Sequence, residues 1–172
     1  MSKNEFKPVG DKISLKGGWE LNHYQGEEGF LGWVALQVKR SCSEVKDLAD
    51  LRENELKALG PNIKDIDDKL RSYWKKNKAF RHDPIERVYV VYFFESGLEP
   101  NNKHNLHIHL IPRPVSLQLM HGWKIYDATK QPEFPKRYKI FRCENKEITH
   151  ASGKEMGNII DYLNKHLKRK GK

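Results

Sequence analysis

The chain has 172 residues and a formal net charge of +9, with 32 lysines and arginines against 23 aspartates and glutamates. This length suits one domain with its own core, and the charge favours an anionic partner such as a nucleotide, a nucleic acid or an anionic surface. The two cysteines, Cys42 and Cys143, do not fit a disulfide scaffold or a zinc ribbon. No stretch has the apolar length of a membrane span, and the first residues are too polar for a secretory signal, so we expect a cytoplasmic protein with no membrane partner.

The first forty residues predict a lead followed by two strands. Residues 1–18 show neither a strand pattern nor a helix pattern and are interrupted by Pro8 and three glycines, so we expect a poorly ordered N-terminal lead. Alternating side chains predict strands within 19–25 and 30–40, joined by a Gly-Glu-Glu-Gly turn.

The middle of the chain predicts a long helix and a central strand. From Asp50, apolar residues recur three and four positions apart, at Leu56, Leu59, Ile63, Ile66, Leu70 and Tyr73. Gly60-Pro61 interrupts this pattern, and we expect a kink or two abutting helices there. The nearly continuous apolar run 88–94 is typical of a central strand.

The C-terminal part predicts one more helix, over residues 151–168. Its apolar positions fall on one face, at Met156, Ile159, Ile160, Leu163 and Leu167. The basic run that follows is typical of a solvated, frayed end.

The stretch from Lys103 to Arg113 alternates polar and aliphatic residues and is the most informative part of the sequence. On an extended strand Asn105, His107 and His109 share one face, while aliphatic side chains occupy the other. One face can therefore pack on a core while the other carries out chemistry.

Three uses of the two histidines fit this pattern. They could be solvent-facing residues of a half-exposed sheet. They could bind a metal ion, for which the further ligand candidates are His104, His121, Glu95 and Glu99, none at a spacing that singles it out. They could also act covalently, since a neutral imidazole is a nucleophile near pH 7 and a second imidazole can donate a hydrogen bond to the anion under attack.

These residues resemble the signature of the histidine-triad (HIT) family, His-φ-His-φ-His-φ-φ with φ apolar, often followed by Pro-Arg. The chain has Asn105-Leu106-His107-Ile108-His109-Leu110-Ile111 and then Pro112-Arg113. Asparagine therefore takes the first triad position. The resemblance extends over about residues 19–123, where two strands, a helix and a further strand precede the signature in an order similar to the family's.

The resemblance implies nucleotidyl transfer. The middle histidine, here His107, would attack the α-phosphorus of a nucleotide and form a nucleotidyl-imidazole intermediate, from which water or another acceptor takes the nucleotide. His109 would hydrogen-bond a phosphate oxygen near the scissile bond. Asn105 can hold a hydrogen bond in the first position, but it cannot exchange a proton near pH 7. Donors around the phosphate would stabilise the charge that develops.

The resemblance also implies substrate-binding positions. Asn102 falls where family members carry Ser or Thr against the phosphate, and Trp33 falls where many carry a further histidine. The acidic residue that holds the ribose in many members corresponds to Gln25 or its neighbours Asn22 and His23. These differences leave phosphate chemistry in place and put recognition of the family's familiar nucleosides in question.

Two further residues complete the predicted substrate-binding set. Arg113 belongs to the Pro-Arg pair that follows the signature. His121 lies in a segment, 120–123, that either closes over the site, as such segments do in some family members, or serves only packing.

We therefore predict an α+β, HIT-like protein: a mostly antiparallel sheet, a long helix packed on it and a C-terminal helical extension. Residues 1–18 would form the lead, 19–123 the HIT-like domain and 124–172 the extension. The predicted function is a HIT-type nucleotide hydrolase or nucleotidyl transferase that cleaves a phosphoanhydride, phosphoramidate or phosphoester, with no cofactor and no metal in the covalent step. The alternatives are a catalytically weak nucleotide- or RNA-binding protein and a metal-dependent phosphoesterase. Many HIT proteins pair two protomers, so the resemblance also implies a homodimer.

Overall fold

The protein has an α+β architecture in which an antiparallel sheet packs against two helices. The computed structural model describes residues 12–23, 32–41, 44–92, 106–115, 123–125, 141–143 and 153–167. Within these residues neither helix is long and apolar enough to cross a membrane.

Five strands form the main sheet, in the order β1-β2-β3-β5-β4, and all neighbours are antiparallel. The strands are β1 (Ile13–Ser14), β2 (Trp19–His23), β3 (Val34–Val38), β4 (Ile85–Tyr92) and β5 (His107–Pro114). Strand β5, which contains the two histidines of the signature, therefore has a paired neighbour on each side. A separate two-stranded sheet pairs β6 (Trp123–Ile125) with β7 (Phe141–Cys143).

Helix α1 (Glu53–Lys76) is a single helix of 24 residues. The prediction of two abutting helices at Gly60-Pro61 is wrong, because the helix continues through Pro61. Its buried positions are Glu55, Asn62, Ile66, Leu70 and Trp74. This stripe keeps a helical period on both sides of the proline, so its packing offsets the roughly 3 kcal/mol that an interior proline costs.

The first turn of α1 also differs from the predicted apolar stripe. Leu56 is 49% exposed, whereas Glu55 beside it is buried. The Glu55 carboxylate accepts hydrogen bonds from Arg40 Nε at 2.8 Å and Arg40 Nη2 at 2.7 Å. Because Arg40 follows β3, this ion pair fixes the start of the helix to the end of that strand.

Helix α2 (Gly153–Leu167) completes the core, and its predicted apolar face is confirmed. Four of its predicted positions are buried, Met156, Ile159, Ile160 and Leu163. They share one cluster with the sheet and with α1. The Tyr162 hydroxyl donates to Ser72 Oγ on α1 at 3.1 Å. This part of the predicted extension therefore packs into the same core as the sheet.

Two predictions about the sheet are wrong. Ile13 is 1% exposed and β1 pairs with β2, so the predicted lead does not extend over residues 12–18; residues 1–11 lie outside the described part of the chain. The run predicted as a central strand forms most of β4, which is outermost among the described strands, and its Val90 is 49% exposed. An apolar run indicates a strand but does not indicate its place in the sheet.

Candidate functional site

The register of the sheet separates its side chains onto two faces. Residues paired across antiparallel strands lie on the same side, and Leu36 pairs with both Leu21 and Ile108. These three side chains belong to the core that the helices cover. The opposite side, which we call the histidine face, holds Glu20, Asn22, Ala35, Gln37, Tyr89, Val91, His107, His109, Ile111 and Arg113.

Two rows of side chains cross the histidine face from strand to strand. One row consists of Glu20, Gln37 and His107, and the next consists of Asn22, Ala35, His109 and Val91. Neighbouring strands are about 4.8 Å apart, so members of one row are within reach of a single small ligand. In the second row, the small side chain of Ala35 separates Asn22 from His109.

The prediction that His107 and His109 share a face is confirmed. Their ring centroids are 4.7 Å apart and the rings are nearly perpendicular, at 89°. His109 is buried, with 7% of its surface exposed, whereas His107 is half-buried. The more accessible ring of the pair is therefore the one that the resemblance assigns as nucleophile.

Trp33 makes the best-defined contact to this pair. Its Nε1 donates a hydrogen bond to His109 Nδ1 at 2.9 Å, and its ring meets the imidazole edge-on with centroids 5.4 Å apart. The indole N–H can only donate, so the lone pair of Nδ1 must accept. The predicted site residue Trp33 is thus placed in contact with His109.

The lowered pKa of His109 also favours the neutral ring that this hydrogen bond requires. Burial and, as a smaller cause, the charge of a protonated His107 together lower the pKa of His109 to about 3. A buried imidazole loses hydration when it is protonated, and a second imidazolium nearby repels it. His109 is therefore neutral throughout the physiological range.

Gly32 explains how Trp33 reaches this position. Its φ is +79°, a conformation that favours glycine. A Cβ on Gly32 would lie 2.9 Å from Pro112 Cγ and 2.9 Å from the Trp74 ring, and its N–H donates to Met156 Sδ at 3.1 Å. The chain is therefore held tightly against both layers of the core immediately before the indole.

A polar network lies beside His107 in the first row. Gln37 is paired directly with His107 across β3 and β5, and its Nε2 donates to Glu20. The Glu20 carboxylate also accepts from Lys12 Nζ at 2.6 Å. These contacts orient the Gln37 amide next to the nucleophile position.

Arg113 lies on the same face but away from the histidine pair. It is four residues beyond His109, about 13 Å along the strand. Its guanidinium donates to the Tyr89 hydroxyl and lies 5.6 Å from the centre of the Tyr89 ring. The structure therefore brings together His107, His109 and Trp33, with Arg113 at the far end of the same surface.

The other predicted site residues are not placed. Asn105, Asn102, Gln25 and His121 lie outside the described residues. His23 ends β2 opposite Val34, and its side chain also lies outside what is described. These assignments stay predictions.

The structure adds residues that sequence reasoning missed or left open. Gln37, Ala35 and Tyr89 occupy the histidine face, and the alternation of β3 and β4 was the signal that could have found them. Asn22, considered only as a neighbour of Gln25, is 9% exposed, and its Oδ1 accepts no hydrogen bond from the residues that the structure describes. A buried amide oxygen of this kind is an acceptor without a donor.

Comparison of the sequence with models of protein families gave no match, and searches of curated proteins and of solved structures gave none either. Among the described residues, no three or more His, Cys, Asp or Glu side chains gather in a way that could hold a metal ion. The chemistry of the histidine face is therefore the main indication of function.

Proposed function

We propose that the protein is a HIT-like nucleotide hydrolase or nucleotidyl transferase that works through a covalent intermediate on His107. The observation that supports this most is the pair of rings on one face: a half-buried His107 beside a buried, neutral His109. The signature from His107 to Arg113 and the antiparallel order of the strands are consistent with the family that the sequence resembles.

The reaction would proceed in two displacements. A ring nitrogen of neutral His107 attacks the α-phosphorus, a P–N bond forms, and the bond from phosphorus to the leaving oxygen or nitrogen breaks with its electron pair on the leaving group. Water or another acceptor then attacks the same phosphorus, the P–N bond breaks, and the proton of the acceptor passes to solvent. His107 recovers its lone pair at the end of the cycle.

His109 supports the proposal because it supplies a donor without adding charge. With Nδ1 accepting from Trp33, the single proton of the neutral ring is on Nε2. An N–H held in a buried site stabilises negative charge on phosphate oxygens more strongly than it would in water. The net charge of +9 also favours an anionic substrate.

The same contact weakens the case for a metal-dependent phosphoesterase. A metal ligand must offer a lone pair, and neutral imidazole has one. In His109 that lone pair accepts the indole N–H of Trp33. Metal binding at His109 would therefore require this hydrogen bond to break.

The test is covalent labelling. The protein is mixed with each of the four nucleoside triphosphates and with a dinucleoside polyphosphate, all labelled at the α-phosphate, and quenched within seconds in alkali, where phosphoramidates persist. We expect label on the wild-type protein and less than about a thousandth as much on His107→Ala, since removing a covalent nucleophile closes the route.

The matched control is His82→Ala, in the exposed turn after α1. It should label and turn over like wild type, and circular dichroism should report the same fold for all three proteins. Binding of a nucleotide without label or turnover would favour the catalytically weak binding protein. Full labelling of His107→Ala would contradict the proposed mechanism.

A further inference from the structure

We propose that Trp33 is a positioning residue that locks His109 as a neutral Nε2–H donor, and that the site therefore takes phosphoanhydride substrates, whose leaving group departs without a proton. The tautomer of His109 follows from the geometry around its ring. The preference for phosphoanhydrides rests on the function proposed above.

The lock follows from the hydrogen bond. The indole of Trp33 donates to His109 Nδ1 at 2.9 Å. In the alternative tautomer, and in the imidazolium, Nδ1 carries a proton and would face the indole N–H proton to proton. Both forms lose this bond inside a buried site, where an unsatisfied N–H is unfavourable. The neutral Nε2–H form alone keeps it.

The surroundings of His109 favour the same form. His107 lies on its own strand, and its charge lowers the pKa of His109. From the neighbouring strands the same row presents Ala35, Val91 and, beyond Ala35, the amide of Asn22. In the next row, the Glu20 carboxylate is engaged by Lys12 and Gln37.

Two further groups lie along β5 and its partner β4. The Arg113 guanidinium and the Tyr89 hydroxyl contact each other at the far end of the histidine face. Arg113 is about 13 Å along the strand from His109, and Tyr89 is paired with Ile111, about 7 Å along the strand.

A neutral imidazole that keeps its proton cannot act as the general acid of the first displacement. An amine or an alkoxide is a poor leaving group unless it receives a proton as it departs. A phosphate or pyrophosphate leaves as a stable anion with the electron pair of the broken P–O bond, and it needs only hydrogen-bond donors. In the sequence, Asn105 also replaces a titratable histidine with an amide. The neutral donor therefore selects for anhydrides over phosphoramidates and alkyl esters.

The first arm of the test measures the tautomer directly. Nitrogen-15 NMR of the imidazoles, between pH 8 and pH 4.5, should show His109 of the wild-type protein with a bare Nδ1 and a protonated Nε2 at every pH. In Trp33→Phe the indole N–H is gone, so we expect mixed tautomers and titration at a higher pH. His82 in the same spectra is the internal reference. An unchanged His109 in Trp33→Phe, or a protonated Nδ1 in wild type, overturns the lock.

The second arm measures selectivity for the leaving group. Wild type should cleave a nucleoside triphosphate about 100-fold or more faster than the methyl ester or the alkyl phosphoramidate of the corresponding nucleoside 5′-monophosphate. The last two substrates need a general acid, which contributes about 10²–10⁴-fold. In Trp33→His and Trp33→Phe this ratio should fall, with the gain on the phosphoramidate largest at acidic pH. Equal cleavage of all three substrates by wild type overturns the selectivity. If no substrate is cleaved and no label is found, both the proposed function and the leaving-group selectivity are wrong. The NMR experiment still tests separately whether Trp33 fixes the tautomer of His109.

Discussion

At the scale of single residues, the buried neutral His109 makes a prediction about stability in acid. Its pKa is lowered from 6.5 to about 3 in the folded state. Between these values the unfolded chain binds a proton that the folded protein excludes, so stability falls as the pH falls. The free energy of unfolding should therefore decrease by up to about 1.4 kcal/mol per pH unit below pH 6.5.

Urea denaturation of wild type and His109→Asn between pH 7.5 and pH 5 measures this effect. Asparagine keeps an acceptor and a donor but does not titrate in this range. The difference in stability between the two proteins should shift in favour of the variant as the pH falls. Parallel stability curves would show that His109 keeps its ordinary pKa in the folded protein.

Part of the site was predictable at this scale and part was not. The common face of His107 and His109 follows from alternation along one strand, which is a local property. Trp33 and His109 are 76 positions apart in the sequence, and their contact depends on the register between β3 and β5 and on the positive φ of Gly32. A local pattern does not specify the register of distant strands.

At the scale of elements, the ion pair between Arg40 and Glu55 should contribute strongly to holding the start of α1 against the end of β3. The Glu55 side chain is 4% exposed and that of Arg40 is 16% exposed. The hydrogen bond from Arg40 is the main cause that lowers the pKa of Glu55. Removing one partner of a buried pair leaves an uncompensated charge, at a cost of about 3–5 kcal/mol.

Chemical denaturation of Glu55→Gln checks this prediction. The matched control is Asp68→Asn, which removes the exposed pair with Lys64 on the same helix. That pair is exposed to solvent, so its removal should change the stability little. A loss for Glu55→Gln no larger than the loss for Asp68→Asn would show that the pair does not hold the helix to β3.

The helices and strands were predictable from local sequence patterns, whereas two features of their packing were not. Two amphipathic helices and alternating strands were predictable, because burial imposes their periods on neighbouring residues. The inward position of Glu55 was not, since it depends on Arg40, which lies just after another element, β3. The outer place of β4 was not predictable either, because the insertion of β5 beside β3 is a matter of long-range pairing.

At the scale of the whole molecule, we expect a symmetric homodimer. The family that the sequence resembles often pairs two protomers through the long helix and a neighbouring strand edge. Here Leu56 on α1 and Val90 on β4 are each 49% exposed. An isologous interface uses the same patch on both copies, so apolar side chains of this kind are suited to it.

Sedimentation equilibrium at micromolar concentration should give twice the chain mass of 20.2 kDa. Val90→Lys should shift the protein to monomer, whereas Leu48→Lys, an exposed apolar position elsewhere, should leave the dimer intact. A wild-type mass near 20.2 kDa would contradict the dimer and would point to residues 124–172 as the cover of that surface.

The covalent role of His107 is tested most directly by locating the trapped nucleotidyl group in the protein. Wild-type protein quenched during turnover is digested under alkaline conditions, and the modified peptide is fragmented to locate the added mass. We predict one nucleoside monophosphate group on His107 and none on His109, whose Nδ1 lone pair accepts the indole N–H. A label on His109 or on any other residue, or turnover that proceeds with no covalent intermediate, would contradict it.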